Sequence, residues 1–174
     1  EGTSGMRFES NLVYRTKTGS FHQHYGKDNV VRNNIFAYAR EFPVERTRIE
    51  GHRSFVFEDN IVLWTNDTQA VRSRRPGNLP DTVKGLVFDR NVYFNPHGVD
   101  DKAFHGYPFA EWRKCGMDKN GSVADPMLED PAAGRWMPLP GSPVWKTRFG
   151  KFDPGAAGVR PDTADPAWAG VVRP

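Results

Sequence analysis

His22, His24, Arg48, Glu50 and His52 are the residues whose types and spacing could do chemistry. His22-Gln-His24 and Arg48-Ile-Glu50-Gly-His52 both step by two, which places each set on one face of a strand. Phe21, Gln23 and Tyr25, like Thr47 and Ile49, fall on the opposite face, a mixed set in which Phe21, Tyr25 and Ile49 favour the core side. Two carboxyl groups about 5 Å apart cleave a glycoside with retention, and two about 6.5–9.5 Å apart do so with inversion. Neighbouring strands of a stack lie about 4.8 Å apart and alternate ones about 9.6 Å. Glu50 with Glu1 would therefore suit inversion, with His24 between them shifting the acid's pKa. Glu50 with Asp81 would suit retention. Glu50 belongs to both pairs and is the principal catalytic candidate, with Glu1, His24 and Asp81 beside it. His22, Arg48, His52 and Lys27 are the expected substrate contacts, and Trp64 the expected sugar-stacking ring. His22 and His24, with Glu50, also form a rival zinc or copper set. Arg48 places a fixed positive charge against a cation there, so neither a metal nor any other cofactor is expected.

These columns exist only if the chain repeats. Four segments share one pattern: Met6-Arg-Phe8-Glu-Ser-Asn11-Leu12-Val13-Tyr14, Asn29-Val-Val31-Arg-Asn-Asn34-Ile35-Phe36-Ala37, Phe55-Val-Phe57-Glu-Asp-Asn60-Ile61-Val62-Leu63 and Leu86-Val-Phe88-Asp-Arg-Asn91-Val92-Tyr93-Phe94. The asparagines lie 23, 26 and 31 positions apart, a spacing suited to a solenoid. Alternation before each Asn describes a strand with one buried face. The run after it is too short for a helix and rich in β-branched and aromatic residues. The Asn suits a sharp corner, because it tolerates the left-handed region and bonds local backbone. Stacked coils would align the four amides as a ladder. Registered on the Asn, the column ten positions upstream holds Glu1, His24, Glu50 and Asp81; His22 and Arg48 stand twelve upstream, and His52 eight. A polar outward face of this kind is otherwise simply solvated.

The stretch Thr18-Gly-Ser-Phe-His22-Gln-His24-Tyr-Gly-Lys27-Asp-Asn-Val-Val-Arg-Asn-Asn-Ile-Phe-Ala37 resembles right-handed parallel β-helix proteins of the pectate-lyase-like superfamily. So do Ser54-Phe-Val-Phe-Glu-Asp-Asn-Ile-Val-Leu-Trp64, Ala124-Asp-Pro-Met-Leu-Glu-Asp-Pro131 and Gly141-Ser-Pro143. The resemblance covers most of residues 1–160 and is more specific for fold than for substrate. It implies an all-β right-handed parallel β-helix. It also implies a glycoside hydrolase acting on plant cell-wall polysaccharide or oligosaccharide, in an extracellular or periplasmic location. The superfamily's lyases use an Arg or Lys base with calcium in an acidic cluster. Arg48 and Lys27 are available for that, but the acids do not bunch. A non-catalytic glycan-binding or structural β-helix is the alternative.

Composition narrows the classes further. The net charge is +3, but 24 basic and 21 acidic residues are interleaved, and only Arg72-Ser-Arg74-Arg75 clusters. Nucleic-acid binders concentrate their charge on one face, so no nucleic-acid partner is expected and the cluster reads as a solvated loop. No apolar run reaches the roughly 18 residues of a membrane span, and Cys115 is the single cysteine. Residues 1–107 read as coils and 108–124 as a connector. Within that connector, Pro108 starts and Gly116 stops a short helix. Residues 125–174 contain nine prolines, which suggests an extended tail without regular structure that wraps the coils and covers the open end. The chain starts at Glu1 without a Met and soon reads as strand, so further upstream coils are expected. Open coil ends would permit self-association.

Overall fold

The structure, a computed structural model, describes residues 2–74 and 77–154. The chain winds into a parallel β-solenoid with three sheets. The strands before the asparagines, β1 (Arg7–Glu9), β4 (Asn29–Arg32), β7 (Phe55–Glu58) and β10 (Leu86–Asp89), form the first sheet. Its register aligns Phe8, Val31, Phe57 and Phe88 as one inward row. The strands after the asparagines, β2 (Leu12–Tyr14), β5 (Ile35–Ala37), β8 (Ile61–Leu63), β11 (Val92–Phe94) and β12 (Ser122–Val123), form the second. The third comprises β3 (Gly19–Gln23), β6 (Phe42–Arg46) and β9 (Val71–Ser73).

The expected asparagine ladder is present. The side-chain Oδ1 of Asn34 accepts from the backbone N–H and Nδ2 of Asn11, both at 3.0 Å. Asn60 does the same for Asn34 at 3.0 Å, and Asn91 for Asn60 at 2.9 and 3.0 Å. The Nδ2 groups of Asn34, Asn60 and Asn91 also bond the carbonyls of Phe8, Val31 and Phe57, each in the preceding coil. A buried amide costs little only when its donors and acceptors are met, and this geometry meets them. The left-handed residue at each corner, however, is the one before the Asn: Ser10, Asn33, Asp59 and Arg90 have φ of 56°, 56°, 55° and 57°. The Asn stays free to build the ladder because its neighbour makes the turn.

The apolar runs after the asparagines are explained by burial on both sides. Val13, Phe36, Val62 and Tyr93 face the core, while Ile35, Ala37, Ile61, Leu63 and Val92 face outward under Trp136, Val144 and Phe149. A parallel sheet covered on both faces reads as a continuous hydrophobic run. The covering segment corrects the expectation of a tail without regular structure. β13 (Leu128–Asp130) and β14 (Arg135–Pro138) pair antiparallel around a turn at Pro131–Ala133. Arg148 and Gly150 then donate backbone N–H to Asp59 Oδ1 at 3.0 Å and Asn33 Oδ1 at 2.6 Å, pinning the segment across the first corner. Residues 155–174, with Trp168, lie outside the described residues.

Among the described residues the last coil is closed by the connector, not by the tail. A short helix, α1 (Leu79–Thr82), precedes the fourth repeat; α2 (Phe109–Lys114) follows it, with Pro108 before its start and Gly116 just past its end. Trp112 of α2 packs edge-on to Phe88, centroids 5.2 Å apart. After α2 the chain places Asp118 where a fifth Asn would stand. Its Oδ1 accepts from Asn91 N and Nδ2 at 3.2 and 2.8 Å; its Oδ2 accepts from Tyr93 Oη and Trp112 Nε1, both at 2.9 Å. A carboxylate only accepts, so it ends a ladder that an amide would have to continue.

Candidate functional site

The third sheet positions the chemistry, and its register differs from the one counted on asparagines. His22 pairs with Glu45, and Glu45 with Arg72. These residues stand 12, 15 and 19 positions before Asn34, Asn60 and Asn91. The segment between the third strand and the next Asn therefore lengthens by three and then four residues, and a count back from the Asn slips off the strand. Arg48, Glu50 and His52 consequently lie in the loop after β6, not on a strand beside His22, and His24 itself stands one residue past the end of β3.

The residues that do share the strand face with His22 were hidden by that slip. Glu45 is fully buried. Its carboxylate is paired with Arg72, with Arg74 at 2.9 Å and with His22 Nε2 at 3.8 Å. A carboxylate taken out of water requires such partners. The basic cluster is thus a counter-charge and not a solvated loop, although Arg75 lies outside the described residues. The alternation of Phe42-Pro-Val44-Glu45-Arg46 was the sequence signal for this strand. His22 Nε2 and His24 Nδ1 both approach Thr47 Oγ1, at 3.0 and 2.9 Å, while that hydroxyl donates to Gln23 O at 3.1 Å. The rival His22–His24–Glu50 metal set is not assembled: both rings turn to Thr47 and Glu50 turns to His52.

Glu50 lies in a groove. One cavity of about 570 Å³ is lined by Thr3, Ser4, Tyr25, Gly26, Lys27, Glu50 and His52. An adjoining one of about 540 Å³ is lined by Ile49, Glu50, His52, Arg53, Lys84 and Gly85. Glu50 and His52 belong to both, and the lining comes from the loops of four successive coils, so the groove runs along the stack. Glu50 Oε2 is 3.5 Å from His52 Nε2, which itself meets Gly26 O at 3.2 Å. The Arg48 guanidinium stands 5.2 Å from the centre of the Tyr25 ring, within cation–π range. Gly85, with φ of 72°, is required here: a Cβ on it would sit 2.3 Å from His52 O.

Beneath the loop lies Arg46, 1% exposed. It holds the loop by donating Nε to Arg48 O and Nη1 to Thr82 O, both at 2.8 Å. Burial lowers its pKa to about 10, against the pull of the Glu50 charge. His105, stacked on Trp112 with centroids 5.4 Å apart, is lowered to about 4 by burial and then by the Arg46 charge. The unfolded chain therefore takes up this proton first as pH falls. The histidine's contribution is complete above about pH 6.5 and is lost toward pH 4, by about 2 kcal/mol between pH 6.5 and 5. In denaturant titrations His105→Phe should lack this loss; a variant whose stability falls as steeply as the parent's would contradict the assignment.

The remaining expected site residues are dispersed. Lys27 joins Glu50 and His52 in the groove. Asp81 is on α1 and bonded to Lys84 at 2.7 Å, and that bond with the one to Asn78 holds its pKa below the usual value. It lines neither cavity. Trp64 is buried in the core at 1% exposure and offers no face to a sugar. Glu1 lies outside the described residues. Comparison of the chain with protein-family models, curated proteins and solved structures gives no match in any of the three.

Proposed function

We propose that the groove at Glu50 binds an extended polysaccharide or oligosaccharide, making this chain a carbohydrate-binding β-solenoid. The observation that carries this reading is the groove's course. It crosses loops of four coils, three rung spacings or about 14 Å, and combines the Tyr25 ring with Lys27, Glu50 and His52. Concave surfaces that join an aromatic wall to a few placed polar groups suit such ligands. Hydrolysis is the second reading, favoured by the buried Glu50 Oε2, which has no hydrogen-bond partner and lies 3.5 Å from the His52 imidazole. Glycoside cleavage by two carboxyls needs a partner, and among the described residues Glu50 is the only carboxylate lining the two cavities. Binding therefore comes first.

The two readings separate in one experiment on xylan, arabinan and pectic oligosaccharides. Native affinity electrophoresis should show retention by at least one glycan. Tyr25→Ala should weaken it about five- to tenfold, the worth of one aromatic contact, and Glu50→Gln should weaken it less. Release of reducing ends by the parent and its loss in Glu50→Gln would establish the hydrolase. No retention and no release with any of the glycans would remove both.

A further inference from the structure

A third cavity, of about 470 Å³, lies on a different side of the solenoid, between the second sheet and the β13–β14 hairpin. Tyr14 occupies the third position of β2, in register with Ala37, Leu63 and Phe94. The small Ala37 leaves that row low beside Tyr14, and Trp136 of β14 joins Ala37 in the outer apolar layer. The Trp136 ring comes within 5.4 Å of the Tyr14 ring and 6.1 Å of the Tyr38 ring, centre to centre. Three aromatic rings therefore wall one hollow. Trp136 is 5% exposed, as packing alone would have it, but Tyr14 is 51% exposed. Arg15 and Asp130 complete the lining. Asp130 is held in place by Arg135 at 2.8 Å and by the Ala133 N–H at 3.1 Å.

We propose that this cleft is a carbohydrate subsite separate from the groove, taking one pyranose ring on Tyr14 beside Trp136 and Tyr38, with Arg15 and Asp130 bonding its hydroxyls. The chemistry of the two sides matches. The C–H face of a pyranose is flat and electropositive, and an aromatic face is flat and electronegative. A sugar's rim offers both donors and acceptors, and the cleft provides a donor in the exposed Arg15 and a fixed acceptor in Asp130. A half-exposed tyrosine beside two further rings is otherwise an unexplained apolar patch. The cleft shares no residue with the groove. Two contacts on one polymer raise the retention of each through effective concentration.

The test is titration of the whole chain with xylo-, arabino- and galacturono-oligosaccharides, followed by tryptophan emission and by calorimetry. A saturable emission change is expected with at least one of them, absent in Trp136→Phe. Tyr14→Ala should weaken that binding about tenfold and Tyr14→Phe should restore it to within about twofold. Tyr25→Ala in the groove should leave the emission change intact. Should Tyr14→Ala melt early, Arg15→Ala, altering only a side chain at the rim, should still weaken binding severalfold. Binding that responds to Tyr25→Ala but to neither Tyr14→Ala nor Arg15→Ala would overturn the subsite and leave the groove standing. Total heat of binding that responds to Tyr14→Ala and Arg15→Ala but with none of the oligosaccharides to Tyr25→Ala would overturn the groove and leave the subsite. No emission change and no heat with any of the three oligosaccharides would remove both.

Discussion

Replacing Asn60 by leucine is expected to cost the folded state about 4 kcal/mol and to lower its melting temperature by about 10 °C. Asn60 Oδ1 accepts two bonds from Asn34, and its Nδ2 donates to Val31 O and Asn91 Oδ1. Leucine fills similar space but leaves the Asn34 N–H and one Asn34 Nδ2 hydrogen without their acceptor, at about 1–3 kcal/mol each. The control is Asn11→Leu at the first coil. Asn11 is only part-buried, and its Nδ2 bonds Glu9 O in its own coil as well as Asn34. Water can replace what is lost there, so the cost should stay near 1 kcal/mol. Equal losses at the two positions would show that the amides contribute individually and not as a ladder whose interior rungs depend on one another.

Asp118→Leu should cost about 4 kcal/mol at pH 4 and about 1 kcal/mol at pH 7 and above. The substitution strands the Asn91 N–H, the Tyr93 hydroxyl and the Trp112 indole N–H, all buried. The pH dependence follows from burial, which raises the Asp118 pKa to about 6 even though four donors oppose the shift. A folded pKa above the unfolded value means that the folded state holds its proton longer. Its contribution is therefore complete below about pH 3.8 and is lost as pH rises through about 6, by up to about 3 kcal/mol. Leucine has no such titration, so the difference between the two proteins should shrink over that window. Denaturant midpoints at unit pH intervals measure it. A difference that is constant from pH 4 to 8 would mean that the four hydrogen bonds outweigh burial and that Asp118 is ionised throughout.

His105 acts in the opposite direction over much of the same range, because burial penalises its cation while it penalises the Asp118 anion. Both groups touch Trp112. The closing helix thus rests on two titrating groups whose slopes oppose each other between about pH 4 and 6, and the parent's stability should be flatter there than that of either variant.

What the sequence determined by itself was local and repeated. The alternation before Asn11, Asn34, Asn60 and Asn91, and the apolar runs after them, specify strand, corner and strand four times over, and hence the stacked parallel sheets. Pro108 and Gly116 delimited α2 for an equally local reason. The tertiary structure decided everything that depends on the length of the loops between repeats. Counting from the asparagines put His24, Glu50 and Asp81 in one column, but the longer connections after β6 and β9 moved Glu50 into a loop and Asp81 onto α1, and brought Glu45 beside His22 and Arg72 beside Glu45. A strand register is set by hydrogen bonds to the neighbouring coil and by the side chains that must be buried, and neither appears in a count of residues. Asp118 was concealed in the same way, since α2 intervenes before the chain returns to the ladder. Trp64 looked like an exposed ring only until the packed interior closed around it. The repeating elements are fixed by periodicity within a few residues. The site is fixed by contacts between residues more than twenty apart, and only the folded coil brings those together.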